Sequence, residues 1–72
     1  MNARPKKRSL TLRGHRTSVS LEDEFWLAFR EIAAENGRPI NDLAAEIDAL
    51  RGTDTGLATA IRLYVLDHFR NG

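Results

Sequence analysis

The chain has 72 residues, enough for one domain but too few to bury a sizeable core unaided. It has no cysteine and only two histidines, far apart in sequence, which excludes a disulfide framework and a thiolate or paired-histidine zinc site and leaves oligomerisation as the remaining support for so small a fold. The net charge of +1 hides an asymmetry: up to Arg16 there are six cations (Arg4, Lys6, Lys7, Arg8, Arg13, Arg16) and no acid, whereas the remainder sets five arginines against ten carboxylates.

A basic segment ahead of an acidic body seeks a polyanion, for which nucleic acid is the commonest intracellular choice; a solvated tail that only aids solubility is the other reading. No apolar run approaches the roughly 18 residues of a membrane span, and the basic start lacks the hydrophobic segment of a secretory signal, so a cytoplasmic protein is expected.

Residues 1–8, with Pro5 and a run of charge, carry too little apolar content to order themselves and are expected to form a flexible arm ahead of a domain over 9–72. Leu10 and Leu12 then alternate with polar neighbours, and Thr17, Val19 and Leu21 do so after Gly14, the period of a half-buried strand. The two sets have opposite parity. A bulge or a tight turn is therefore expected at Gly14-His15, leaving Arg16, Ser18 and Ser20 facing away from the core.

From Leu21 the period becomes helical, with Phe25, Phe29 and Ile32 on one face, Trp26 and Ala33 at its edge, acids at the start and Asn36-Gly37 as a left-handed cap. Pro39 suits the opening turn of a second helix, whose Ile40, Leu43, Ala44, Ile47 and Leu50 share a face until about Arg51-Gly52. Thr53, Asp54 and Thr55 are good cap types for a third helix with Leu57, Ala58, Ile61, Tyr64, Val65 and Phe69 inside, ending at Asn71-Gly72. Leu63 and Leu66 on its far side make that helix apolar around much of its circumference. No internal repeat is read from the chain. A single strand with two open edges and an oily last helix both call for a symmetry mate, so the fold class is mainly α with one short β element and three helices, as an intertwined homodimer with an intermolecular antiparallel β-ribbon.

The stretch Arg16-Thr17-Ser18-Val19-Ser20-Leu21 followed by apolar residues at 25, 29 and 32, and the segment Glu35-Asn36-Gly37-Arg38-Pro39-Ile40-Asn41, together resemble the ribbon-helix-helix family, the group of the Arc and methionine repressors. Gly14 to Glu22 with Phe25-Trp26 looks like a bacterial subfamily of these domains. The resemblance spans about Arg16 to Arg70. It implies a dimer that binds double-stranded DNA with a β-ribbon in the major groove, acting as a transcriptional repressor or an antitoxin-type regulator, with a toxin or co-regulator as a further protein partner. Carried over, Arg16, Ser18 and Ser20 contact bases; Arg38 and Asn41, at the start of the second helix, contact phosphate.

Lys6, Lys7, Arg8 and Arg13 suit phosphates by charge. Val19, Leu21, Phe25, Trp26, Phe29, Ile61 and Val65 form the expected dimer core. Ser20 has a second candidate role as cap of the first helix, and His68 reads as a hydrogen-bonded residue on the last helix. The sequence departs from the family pattern at Pro39, which lacks an N–H; at Asp42, Glu46 and Asp48, which put negative charge near the second helix; and in about ten extra residues, roughly 45–54. These departures favour the alternative of a protein–protein adaptor without DNA binding. No grouping of nucleophile, base and orienting acid suggests an enzyme, and no metal or cofactor is expected.

Overall fold

A computed structural model describes residues 4–71; Met1 to Ala3 of the expected arm and Gly72 at the expected end of the last helix lie outside them. The order is β1 (Lys6–Leu12), β2 (His15–Leu21), α1 (Asp23–Glu35), α2 (Ile40–Leu50) and α3 (Leu57–Asn71). The chain thus has two strands, where one was expected. They pair with each other as an antiparallel hairpin, with Leu12 opposite His15, Leu10 opposite Thr17 and Arg8 opposite Val19.

The cause is a two-residue loop. Arg13 (φ 52°) and Gly14 (φ 83°) are both left-handed, the pair of conformations a type I′ turn requires and the one whose twist matches the flanking strands. The turn sits one residue earlier than expected, and it removes the parity conflict. Each ladder pair joins an even-numbered to an odd-numbered residue, so Leu10 and Leu12 fall on the same face as Val19 and Leu21, and all four are buried. Lys6 to Arg8, expected in the flexible arm, are the first residues of β1.

The inner face of the hairpin lies over the helices, β1 against α2 and β2 against α3. Leu10, Leu12, Val19 and Leu21 join Phe29, Ile32, Ala33, Leu43, Ala44, Ile47, Ile61 and Val65 in one cluster, with the Tyr64 ring edge-on to Phe29. Among the described residues no polar or charged side chain is fully buried. Five of the residues expected in a dimer core, Val19, Leu21, Phe29, Ile61 and Val65, are buried within a single chain, and Phe25 and Trp26 pack half-buried against them. A side chain already removed from water gains nothing further from a symmetry mate, so this core belongs to the chain itself.

The helix boundaries follow local chemistry. At the end of α1, Gly37 (φ 62°) donates its N–H to the Ala34 carbonyl at 3.0 Å and Arg38 donates to Ala33 at 3.0 Å, the two bonds of a Schellman motif. Pro39 occupies the N-cap of α2 rather than its first turn. Thr53 and Asp54 do not cap α3, because they form a turn before it; the Gly56 carbonyl accepts the first helical bond, from Ala60 at 3.0 Å. Ser20 does not cap α1 either, since Glu22 holds the N-cap and makes no side-chain bond there.

A polar clasp joins the hairpin to α1. Arg8 is on the inward side of β1, where its stem covers the core edge while its guanidinium reaches Asp23, donates to the Leu21 carbonyl at 3.3 Å and lies 5.5 Å from the Trp26 ring centroid. Lys6 Nζ adds a second bond to Asp23 at 3.1 Å. The hydrogen bonds from Arg8 and Lys6 hold the Asp23 carboxyl below its usual range.

A depressed native pKa means that Asp23 contributes stability above its ordinary value near 3.8 and loses that contribution as the pH falls through the lower native value. Denaturant unfolding should therefore show Asp23→Asn less stable than wild type at neutral pH, with the gap closing in strong acid; a gap independent of pH would assign the loss to something other than the ionised pair. Arg13→Asn should stabilise the hairpin by about 0.5–1 kcal/mol, because asparagine tolerates the left-handed region at lower cost than arginine. For a domain of this size that is a rise of roughly 2–8 °C in melting temperature, and a fall would show that the Arg13 side chain itself secures the turn.

Candidate nucleic-acid interface

The pleat that turns the leucines and Val19 inward turns the alternate residues outward: Lys7, Ser9 and Thr11 on β1, Arg16, Ser18 and Ser20 on β2, all exposed. Across the ladder Lys7 stands opposite Ser20, Ser9 opposite Ser18 and Thr11 opposite Arg16. This face therefore consists of two cations and four hydroxyls, with no carboxylate and no apolar side chain among them.

The hydrogen-bonding phase of the ladder adds a further property. Leu12 and His15 close the two-residue loop as a bonded pair, so alternation makes the three outward pairs non-hydrogen-bonded, with side chains close together and backbone groups directed to the outer edges. Two contacts agree with this phase. On the β1 edge the Thr11 N–H donates to Asn41 Oδ1 at 3.0 Å; on the β2 edge the Ser20 carbonyl accepts from the Arg62 guanidinium at 3.2 Å. Arg62 also pairs with Glu22 at 2.9 Å and lies 5.8 Å from the Phe25 ring centroid, which ties α3 to the β2–α1 junction. The Glu22 carboxyl is held below its usual range, first by a backbone hydrogen bond and then by Arg62. Both carboxylates at the β2–α1 junction, Glu22 and Asp23, are thus already matched by cations.

The six residues expected at phosphates separate into two groups. Lys7 and Arg13 are exposed, Lys7 on the outward face and Arg13 at the tip of the turn, and neither makes an ion pair among the described residues. The others are engaged. Lys6 and Arg8 hold Asp23, Arg38 pairs with Glu46 at 2.9 Å, and Asn41 caps the β1 edge. Arg8 departs furthest from expectation, its side chain being only 17% exposed. All three residues expected at bases, Arg16, Ser18 and Ser20, are exposed together on β2. Ser9 and Thr11, which share their face, were not singled out from sequence; their alternation with Leu10 and Leu12, followed by Arg13-Gly14, is the signal that would have found them.

His15 lines an open cleft of about 520 Å³ under the hairpin tip with Arg13, Arg16, Asp48 and Arg51, where Arg51 Nε already donates to Asp48 at 2.7 Å. Among the described residues no cluster of three histidine, aspartate or glutamate side chains could hold a metal ion, and no helix is long and apolar enough to cross a membrane.

Neither curated proteins nor solved structures give a significant match to the chain. A family model described as the ribbon-helix-helix domain matches residues 5–69, which takes in both strands and nearly all of the three helices. The chain belongs to the ribbon-helix-helix domain family.

Proposed function

We propose that this protein is a double-stranded DNA-binding regulator that reads sequence with the outward face of its β-hairpin. The observation that carries the reading is the composition of that face: Lys7, Arg16 and four hydroxyls, all exposed, with the acids at the β2–α1 junction paired to Lys6, Arg8 and Arg62. A two-stranded ribbon with strands about 4.8 Å apart fits a major groove about 12 Å wide. Arg16 suits guanine O6 and N7, the serines suit either donors or acceptors, and Arg13 at the tip reaches toward phosphate. Leu10 and Leu12 fold beside β2 rather than over it, so they leave Arg16 and Ser18 uncovered; the adaptor alternative would gain support if those leucines masked them.

The chain acts as a homodimer in this proposal, and the outer side of α3 offers an apolar surface for joining it. Leu63, Leu66 and Phe69 are 56%, 49% and 60% exposed there. Leu63 lines one cleft with Leu50 and Tyr64 and a second with Leu66, so the apolar surface is continuous from the end of α2 along α3.

With Lys7, Arg13 and Arg16 from each of two chains, about six phosphates are within reach, and log affinity should fall against log salt with a slope near −5. Fluorescence anisotropy on a labelled duplex at several salt concentrations measures this, and a flat response would remove the proposal. Arg16→Ala should cost about 1–3 kcal/mol of sequence-specific binding while leaving the melting temperature unchanged, because the side chain makes no ion pair among the described residues. In sedimentation, Leu66→Glu should convert dimer to monomer. A wild-type chain that sediments as a monomer would instead assign the α3 surface to a different protein, which is the adaptor reading.

A further inference from the structure

Strand alternation places His15 and Thr17 on the inward face of β2, in line with Val19 and Leu21, yet both are exposed where Val19 and Leu21 are buried. The helices therefore do not close under the hairpin tip, and the gap left there is the cleft of about 520 Å³. Leu12, Ala45 and Leu57 are its apolar lining. The polar lining comes from both layers: His15 and Thr17 from the strand, Asp48 and Arg51 from the end of α2, and the exposed Arg13 and Arg16 beside the turn. Ala45, Asp48 and Arg51 fall in the stretch of roughly 45–54 by which the sequence departs from the family pattern, so that departure builds the α2 side of the cleft.

Three guanidinium groups meet one carboxylate here, a net of +2 before His15 is counted. Arg51 donates through Nε to Asp48 at 2.7 Å and through Nη1 to the Thr55 carbonyl at 2.8 Å, which fixes the group and leaves Nη2 without a hydrogen bond among the described residues. Arg13 and Arg16 make no ion pair among the described residues. The acids on the next face of α2, Asp42 and Glu46, line a neighbouring groove that Arg13 also borders, and Glu46 is paired there with Arg38.

We propose that this cleft binds a small phosphate monoester with an apolar body, and that the bound ligand competes with DNA for Arg13 and Arg16. A phosphate monoester carries close to two negative charges at neutral pH, which matches the excess of cations, and planar guanidinium groups fit its oxygens in bidentate fashion. The cleft lies within the range of about 300–1,000 Å³ that small-molecule sites occupy. Thr17 adds a hydroxyl donor, and the apolar lining covers the body of the ligand. Arg51 is held at two points before the ligand arrives, so it loses little freedom on binding. The site stands on the cleft alone; the competition rests on the DNA-binding reading above, in which Arg13 and Arg16 face the duplex. Arg51, with its side chain only 32% exposed, serves the ligand and not the duplex.

The test is an amide-resolved NMR titration of the full chain with phenyl phosphate, inorganic phosphate and phenol, followed by duplex binding at matched ionic strength. Phenyl phosphate should shift the amides of Thr17, Asp48 and Leu57 in a saturable way and bind about tenfold more tightly than inorganic phosphate, the gain from covering roughly 60 Å² of its ring. Phenol at the same concentrations should leave those amides in place. Arg51→Met should weaken phenyl phosphate at least about tenfold, but it also releases Asp48 and the Thr55 carbonyl. Thr17→Val gives the independent reading: the Thr17 side chain makes no hydrogen bond among the described residues, so its loss should leave the fold intact and weaken the ligand about three- to tenfold. Shifts that never saturate, or two variants that bind phenyl phosphate as wild type does, overturn the site. With the wild-type cleft filled, duplex affinity should fall about tenfold, and the same phenyl phosphate concentration should act far less on Arg51→Met. An unchanged duplex affinity overturns the competition. A chain that binds no duplex at all overturns the DNA-binding reading instead, and the titration by itself then decides the cleft.

Discussion

Two consecutive left-handed residues, Arg13 and Gly14, decide how the first third of the chain is used. Were the backbone to run straight through this point, Leu10 and Leu12 would face one side of a strand and Val19 and Leu21 the other, and no single layer of helices could cover both. Reversing direction over two residues puts all four on one face above α2 and α3, and it supplies β2 with a ladder partner from the same chain. Glycine meets the torsional demand of its half of the turn without cost, whereas arginine at the other half carries a penalty of about 1–2 kcal/mol that the completed ladder offsets.

The same reversal sorts the basic residues that composition shows only as a cluster. Strand alternation sends Lys7 and Arg16 outward and Arg8 inward. An arginine at the inner edge of a small sheet needs local partners, and Arg8 directs one guanidinium nitrogen to Asp23 and the Leu21 carbonyl beside the Trp26 ring while its buried Nε has no hydrogen-bond partner. The acid at the start of α1 thus serves the helix N-terminus and the clasp together, and it is taken out of the field that a polyanion approaching the outer face would meet. Charge that is unfavourable beside DNA in the linear sequence is, at Glu22 and Asp23, already compensated in the fold.

Most of the helical architecture was legible because it rests on local chemistry. The periodic apolar faces of α1 and α2 and the Asn36-Gly37 stop are each written in a few adjacent residues, and the outward set Arg16, Ser18 and Ser20 follows from strand alternation alone. What the sequence did not place shares one cause, which is that it depends on which segment pairs with which. Residues 6–8 look like a tail until Arg8 has Asp23 and Val19 to pack against. Asn41 looks like a free phosphate ligand until the Thr11 N–H arrives on its side chain. Val19, Leu21 and Phe29 are buried within one chain once β1 pairs with β2, which a reading with one strand does not anticipate. Ser9 and Thr11 gain their place on the face from the register, which no local pattern states.

A ribbon supplied wholly by one chain separates two demands that an intermolecular ribbon joins. When two chains must each donate a strand, folding of the reading face and association are one event, and the face exists only at concentrations where the dimer does. Here the ladder, the inner leucines and both edge caps lie within one chain. The exposed leucines of α3 emerge on a different element from the ribbon. A preformed face loses little conformational entropy on binding, so under the proposed DNA-binding reading the cost of recognition would fall on the fit of side chains to base edges.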